Sequence, residues 1–197
     1  MKDNFQDLLA DNSEVILDSL MDNEIIKEIP ILGSSLKIIR GVKNLRDRAY
    51  LNKMKFFLEN IGEINEEQRQ RIIDEAKKNE KSRAKFGDAI FTTIEQSDST
   101  VKIEYIAAVF EAFLNKELDE AKLRLLCHII RNSFADELTD IIENEKPKIA
   151  LRYAVPSGLV EESYQPITWG KSKNEPQYNL SGSAEDLRKA WQKYGKK

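Results

Sequence analysis

Apolar residues recur at helical spacing along most of the chain, most densely between Val101 and Arg131. In the first half of that stretch Ile103, Ile106, Ala107, Phe110 and Phe113 fall on one helix face. The pattern breaks from Asn115 to Leu118. Asp119 then stands where a carboxylate accepts from the unpaired amides of a new helix. Leu118 and Leu123 flank it at the spacing of a hydrophobic staple. The second half continues through Leu126, Cys127, Ile130 and Phe134. Two helices joined by a short polar turn are expected, and they should form the core.

Upstream, the same spacing predicts further helices. Phe5, Leu8 and Leu9 open a short amphipathic element, and Asn12 or Ser13 caps a second with Ile16, Leu17 and Leu20. Ile25, Ile26 and Ile29 follow, and Pro30 stops the helix. Gly33, Ser34 and Ser35 turn the chain into a long helix over 36–60, with Ile38, Val42, Leu45, Ala49 and Phe56 in a narrow sector. Asn65 and Gln68 read as a capping box that starts a helix over 66–83, whose core candidates are Ile72, Ile73 and Ala76. Phe86, Ile90, Phe91 and Ile94 mark one more, ended by the polar run 96–100.

Past Phe134 the pattern changes. Leu138, Ile141 and Ile142 predict a short helix, and 148–154 another, stopped by Pro156. A strand is expected over 159–164 and a returning strand over 178–180, separated by a Pro-, Gly-, Lys- and Asn-rich loop. Ser183 and Asp186 offer a capping box for a final helix carrying Leu187, Ala190, Trp191 and Tyr194.

Charge alters this picture in one place. The chain has 197 residues and a net charge of −3, so it is neither a polyanion nor a basic nucleic-acid coat. Yet seven basic residues (Lys37, Arg40, Lys43, Arg46, Arg48, Lys53, Lys55) face one acid, Asp47, between positions 37 and 55. The first 30 residues are acidic, with Asp3, Asp7, Asp11, Glu14, Asp18, Asp22, Glu24 and Glu28. The basic side, with Lys37, Arg40, Lys43, Arg48 and Lys55, is either a solvated face or a contact surface for an acidic protein, nucleic acid or anionic lipid. One cysteine excludes an internal disulfide, and the acidic, polar N-terminus does not read as a secretory segment. A cytoplasmic protein is expected, at most peripheral at a membrane, since no apolar run nears the roughly 20 residues that span a bilayer.

Catalytic chemistry is thin. Cys127 and His128 are neighbours on a helix, where side chains diverge by about 100° and make no ready dyad. One His and one Cys cannot build a zinc site. There is no Gly-rich phosphate loop. No catalytic residue, metal, cofactor or small-molecule substrate is expected.

Two resemblances add to this. Ser157, Gly158, Leu159 and Val160, then Tyr178, Leu180 and Ser181 before the last helix, resemble the wing of a winged-helix domain. That resemblance covers roughly the last 75 residues and implies a DNA contact through Lys148, Arg152, Lys171 and Lys173. Glu143, Glu145, Glu161, Glu162 and Glu175 oppose it, and a protein-binding or structural winged helix is the other reading. The full layout is similar to small helical proteins of bacterial abortive infection and phage defence. There, a Pro-x-x-Gly segment, here Pro30 to Gly33, leads into a basic amphipathic helix.

The expected fold is mainly α: a multi-helix bundle with a C-terminal winged-helix-like region containing a small β-hairpin. Three parts are expected: an acidic helical arm over 1–30, a helical domain over 31–118 and the winged-helix-like region over 119–197. The expected function is that of a non-enzymatic bacterial interaction protein, with a protein partner or a second copy of itself. A winged-helix DNA-binding regulator and a peripheral membrane effector are the alternatives.

Overall fold

The computed structural model describes residues 45–77, 80–149, 151–164 and 176–195, with Asp18, Leu20, Asp22, Asn23 and Ile26. Its elements are α1 (Leu45–Asn60), α2 (Glu66–Lys77), α3 (Glu80–Gln96), α4 (Thr100–Leu114), α5 (Glu120–Asn132), α6 (Ala135–Glu143), a 3-10 turn (Leu151–Ala154), β1 (Val160–Tyr164), β2 (Pro176–Leu180) and α7 (Gly182–Tyr194). The described chain is mainly helical, with one small antiparallel hairpin near its C-terminal end. Among the described residues no helix is long and apolar enough to cross a membrane.

α4 is the axis, and it packs against each of the other six described helices. The expected one-sided stripe is too narrow here. Tyr105, Ala108, Val109, Ala112 and Leu114 are buried along with Ile103, Ile106, Ala107, Phe110 and Phe113, so the helix is apolar all round, as an enclosed helix must be. Its two buried charges are both partnered. Lys102 Nζ lies 3.1 Å from Asp98 Oδ1, and Glu111 Oε1 accepts from the Gly62 N–H at 2.9 Å. The helix ends in a Schellman turn, with the N–H groups of Glu117 and Lys116 on the carbonyls of Ala112 and Phe113. Lys116 takes the left-handed position there, at φ 63°.

The local start signals hold where they rest on near neighbours. Asn65 and Gln68 exchange reciprocal bonds of 2.9 Å at the head of α2, and Asp119 caps α5 through the Lys122 N–H at 2.8 Å. The last helix starts earlier than expected. Ser181, not Ser183, is its cap and accepts from the Ala184 N–H at 3.1 Å. Asp186 is drawn instead into an ion pair with Lys122 at 2.6 Å. A second helix starts three residues earlier than the 83 boundary implies, since α3 begins at Glu80. The region 148–154 contracts to the 3-10 turn.

The core face of α1 differs from the expected stripe. Tyr50, Leu51, Met54 and Phe57 are buried, while Ala49 and Phe56 sit half-buried at the margin. The helix turns this broader side toward α3 and α4, which it packs against. Leu20 and Ile26 are also buried and join the same apolar cluster as residues out to Trp191. Trp191 rests on Tyr105, with ring centroids 4.3 Å apart. Core side chains from both sides of the 118/119 boundary belong to that cluster.

The hairpin is attached at its base. Val160 pairs with Leu180 and Tyr164 with Pro176; Val160 is buried and the rest of β1 is exposed. Gly158 turns the chain into β1 at φ +88°, where a side chain is strained. Its carbonyl accepts from Ser181 Oγ at 2.7 Å, which ties the hairpin to the start of α7. A Cβ on Gly158 would meet Ile129 Cγ1 at 3.4 Å. Gly158→Ala is therefore expected to cost about 1–2 kcal/mol through left-handed backbone strain, read as a lower urea midpoint with an unchanged m value.

Candidate functional site

The structure scatters the residues picked from sequence. Lys37, Arg40, Lys43, Lys171 and Lys173 lie outside the described residues. Arg48 is exposed and Lys55 half-buried, seven residues apart and so on one side of α1. Lys53 turns inward, donates to the Glu95 carbonyl at 2.8 Å, and its ammonium is held below the ordinary lysine value by burial. One of the seven basic residues is thus structural.

Lys148 and Arg152 are exposed. The backbone N–H groups of Lys148 and Ile149 both donate to Asp140 Oδ2, at 2.6 and 2.7 Å. Arg152 stacks 4.8 Å over the Tyr153 ring and donates to its hydroxyl at 3.0 Å. Among the described residues the same part of the molecule exposes Asp136, Glu143, Glu145, Glu161 and Glu162 against Lys146, Lys148 and Arg152, so there a phosphate backbone would meet more negative charge than positive.

Two exposed aromatics share this shoulder. Phe134 is 75% exposed and Tyr153 62%. Phe134 was expected to extend the α5 stripe, and that expectation is corrected. Ser133 leaves the helix in extended geometry and bonds back to the Ile129 carbonyl at 2.8 Å, which rotates Phe134 outward. The buried carboxylate of Glu137 then holds both sides. Its Oε2 accepts from the Phe134 N–H at 3.2 Å, and its Oε1 lies 2.9 Å from Ser157 Oγ. That hydroxyl is also 2.9 Å from the Ala154 carbonyl, at the end of the turn bearing Arg152 and Tyr153. Arg188 closes the far end of α6, donating to the carbonyls of Ile141, Ile142 and Asn144 at 2.5, 3.2 and 3.1 Å. The aromatics therefore stand on a buried polar base, in which the single Ser157 hydroxyl proton serves either Glu137 or the Ala154 carbonyl. The run Ser133-Phe134-Ala135-Asp136-Glu137, a helix-start signature, was the sequence signal for this turn.

A third feature lies between α3 and α5. A groove of about 370 Å³ is lined by Ala89, Thr92, Thr93, Arg124, Cys127, His128 and Arg131. Cys127 is enclosed, and burial pushes its thiol up from 9.0 to about 12, so no thiolate is available near neutral pH. His128 is exposed and engaged at both ring nitrogens, with Arg131 Nη2 at 3.0 Å from Nδ1 and the Asn132 amide at 2.9 Å from Nε2. A guanidinium can only donate, so Nδ1 accepts from Arg131, while the Asn132 Nδ2 stands at Nε2. Neither bond involves Cys127. The sequence reading passed over Arg124 and Arg131, although the spacing Arg124, His128, Arg131 places all three on one side of α5. Among the described residues no cluster of three or more His, Cys, Asp or Glu side chains is placed to hold a metal ion. Set against known protein families, curated proteins and solved structures, the chain matches none of them.

Proposed function

We propose that this chain is an interaction protein that acts by contact, with no reaction of its own, and that it docks a protein partner on the α6 shoulder. The observation that carries this reading is the pair Phe134 and Tyr153, both exposed, with the Phe134 N–H on the buried Glu137 carboxylate and Tyr153 in the turn that ends at Ala154, beside that carboxylate's partner Ser157. Rigid aromatics with an arginine beside them are the composition of binding hot spots. They bury large area at little entropic cost because their base is already ordered. Phe134 would fill an apolar pocket on the partner, and Arg152, stacked on Tyr153, would meet a carboxylate there.

On this reading the C-terminal part is a winged-helix-like module used for protein rather than DNA. Support for the likeness comes from the Val160–Leu180 pairing, the Gly158–Ser181 joint and the closing helix. Support for the choice of protein comes from the exposed acids of α6 and β1. The exposed Arg48 side of α1 is a second contact surface in this proposal, and a role in bacterial phage defence rests on the similarity of layout alone.

The test is affinity capture from the native host with nuclease-treated and untreated halves, using wild type and F134A/Y153A. One specific protein should survive nuclease and be lost with the double variant, whose urea midpoint stays within about 0.5 kcal/mol of wild type because both side chains are exposed. Equal recovery by the variant, or nucleic acid as the sole captured species, would sink the proposal.

A further inference from the structure

Among the described residues, the groove between α3 and α5 offers more hydrogen-bond donors than acceptors. Its described lining residues include two guanidinium groups, an imidazole and two hydroxyls, and among them there is no carboxylate. Arg131 has five donor hydrogens, yet among the described residues its side chain makes one hydrogen bond, to His128, and no ion pair. Arg124 approaches one acid, Glu120 Oε1, through Nε at 3.3 Å, in a geometry that leaves Nε without a proper hydrogen bond. Its two terminal nitrogens have no protein acceptor among the described residues. Both arginines are only partly exposed, which strengthens their hold on an anion relative to free surface charges. Across from them on α3 stand Thr92 and Thr93. Thr93 is already committed to the Ala89 carbonyl at 2.6 Å, and Thr92 is half-buried at the rim.

We infer that this groove binds the phosphate group of a small anionic ligand between Arg124 and Arg131. The two arginines are seven residues apart, about 10 Å along the axis, and both line the α5 side of the groove. Two forks and a hydroxyl need at least three acceptor oxygens. A carboxylate has two, which one guanidinium fills; a phosphate has three or more and up to two negative charges. His128 is a positioning residue: by accepting from Arg131 it restrains the guanidinium, and the Asn132 bond fixes its ring. The volume of about 370 Å³ exceeds a lone phosphate and lies at the small end of ligand sites, which leaves room for a phosphorylated small molecule. This site is separate from the α6 shoulder and does not depend on the docking proposal.

Calorimetric titration of the full chain at low salt, with inorganic phosphate, pyrophosphate and adenosine diphosphate as probes, tests it. Pyrophosphate should bind one to one with a Kd of about 1 mM or tighter, and R124Q/R131Q should weaken it at least ~10-fold. R131K keeps the charge but loses the fork and should weaken it about three- to tenfold, while K189Q, on the exposed side of α7 and away from the groove, should leave it unchanged. Adenosine diphosphate binding more tightly than pyrophosphate would mark a nucleotide as the source; equal affinity would mark the phosphate group alone. Melting of each unliganded variant verifies folding, and R131K keeps the test open if the double variant fails to fold. No saturable binding of any probe up to about 10 mM, or undiminished binding by the folded R124Q/R131Q or R131K variants, would overturn the inference.

Discussion

Phe110→Ala is expected to cost about 3–5 kcal/mol, the range for emptying a large aromatic site in a packed core. Phe110 is fully buried on the axial helix, with its ring 5.7 Å from Phe57 and 6.2 Å from Phe113. Truncation would thus open a cavity at the meeting of α1 and α4 that neither helix can close by itself. Domains of this size lose about 2–4 °C of Tm per kcal/mol, so a fall of roughly 10 °C is expected. Leu125→Ala serves as the contrast, because Leu125 is 48% exposed and should cost under about 1 kcal/mol. Thermal unfolding of the two variants side by side checks the claim. Equal Tm values would mean that α4 is not the organising element.

Stability should also collapse in alkali. Burial pushes the Cys127 thiol up to about 12, and the hydroxyls of Tyr50 and Tyr105 far above the ordinary tyrosine value of 10.0, with Glu95 and Glu143 adding repulsion. A group whose folded value is raised stabilises fully below its unfolded value, and that contribution is lost as pH climbs toward the folded one. Here the loss begins near pH 9 with Cys127 and steepens above pH 10 as the tyrosines of the unfolded chain ionise. Each group contributes about 1.4 kcal/mol per pH unit, so about 5 kcal/mol is gone by pH 11. Lys53, whose ammonium is lowered by burial, offsets a part of this. Urea midpoints should be level from pH 7 to 9 and then drop; a level course to pH 11 would refute the account. Tyr50→Phe isolates one contributor. Its hydroxyl is buried without a hydrogen-bond partner among the described residues, so its removal should stabilise by about 1 kcal/mol at neutral pH and make the alkaline slope shallower.

The two pairs of residues that matter most to the functional proposals differ in how visible they were. Phe134 and Tyr153 could be seen as apolar residues, but their exposure could not, because Phe134 fits the α5 period until Ser133 ends it. Arg124 and Arg131 were ordinary surface cations in the sequence. What makes them a site is the absence of a carboxylate among the described lining residues and the presence of Thr92 and Thr93, which lie some thirty or more residues earlier in the chain.

Most relations three or four residues long were legible, the Ser183–Asp186 cap and the outward turn of Phe134 excepted. The α4–α5 hairpin, the reciprocal cap of Asn65 and Gln68, the Asp119 cap and the apolar residues of α6 and α7 all follow from helical geometry and local hydrogen bonding. These depend on the backbone alone, so the sequence by itself determined them. Tertiary structure decided which side of α1 faces inward, that α4 is enclosed on every side, that Ser181 rather than Ser183 starts α7, and that Lys53 is structural. It also decided that Glu137 joins Phe134 to the turn at Tyr153. Each of those outcomes is a contest between neighbours brought together from distant points of the chain, and periodicity along one helix carries no record of what packs against it.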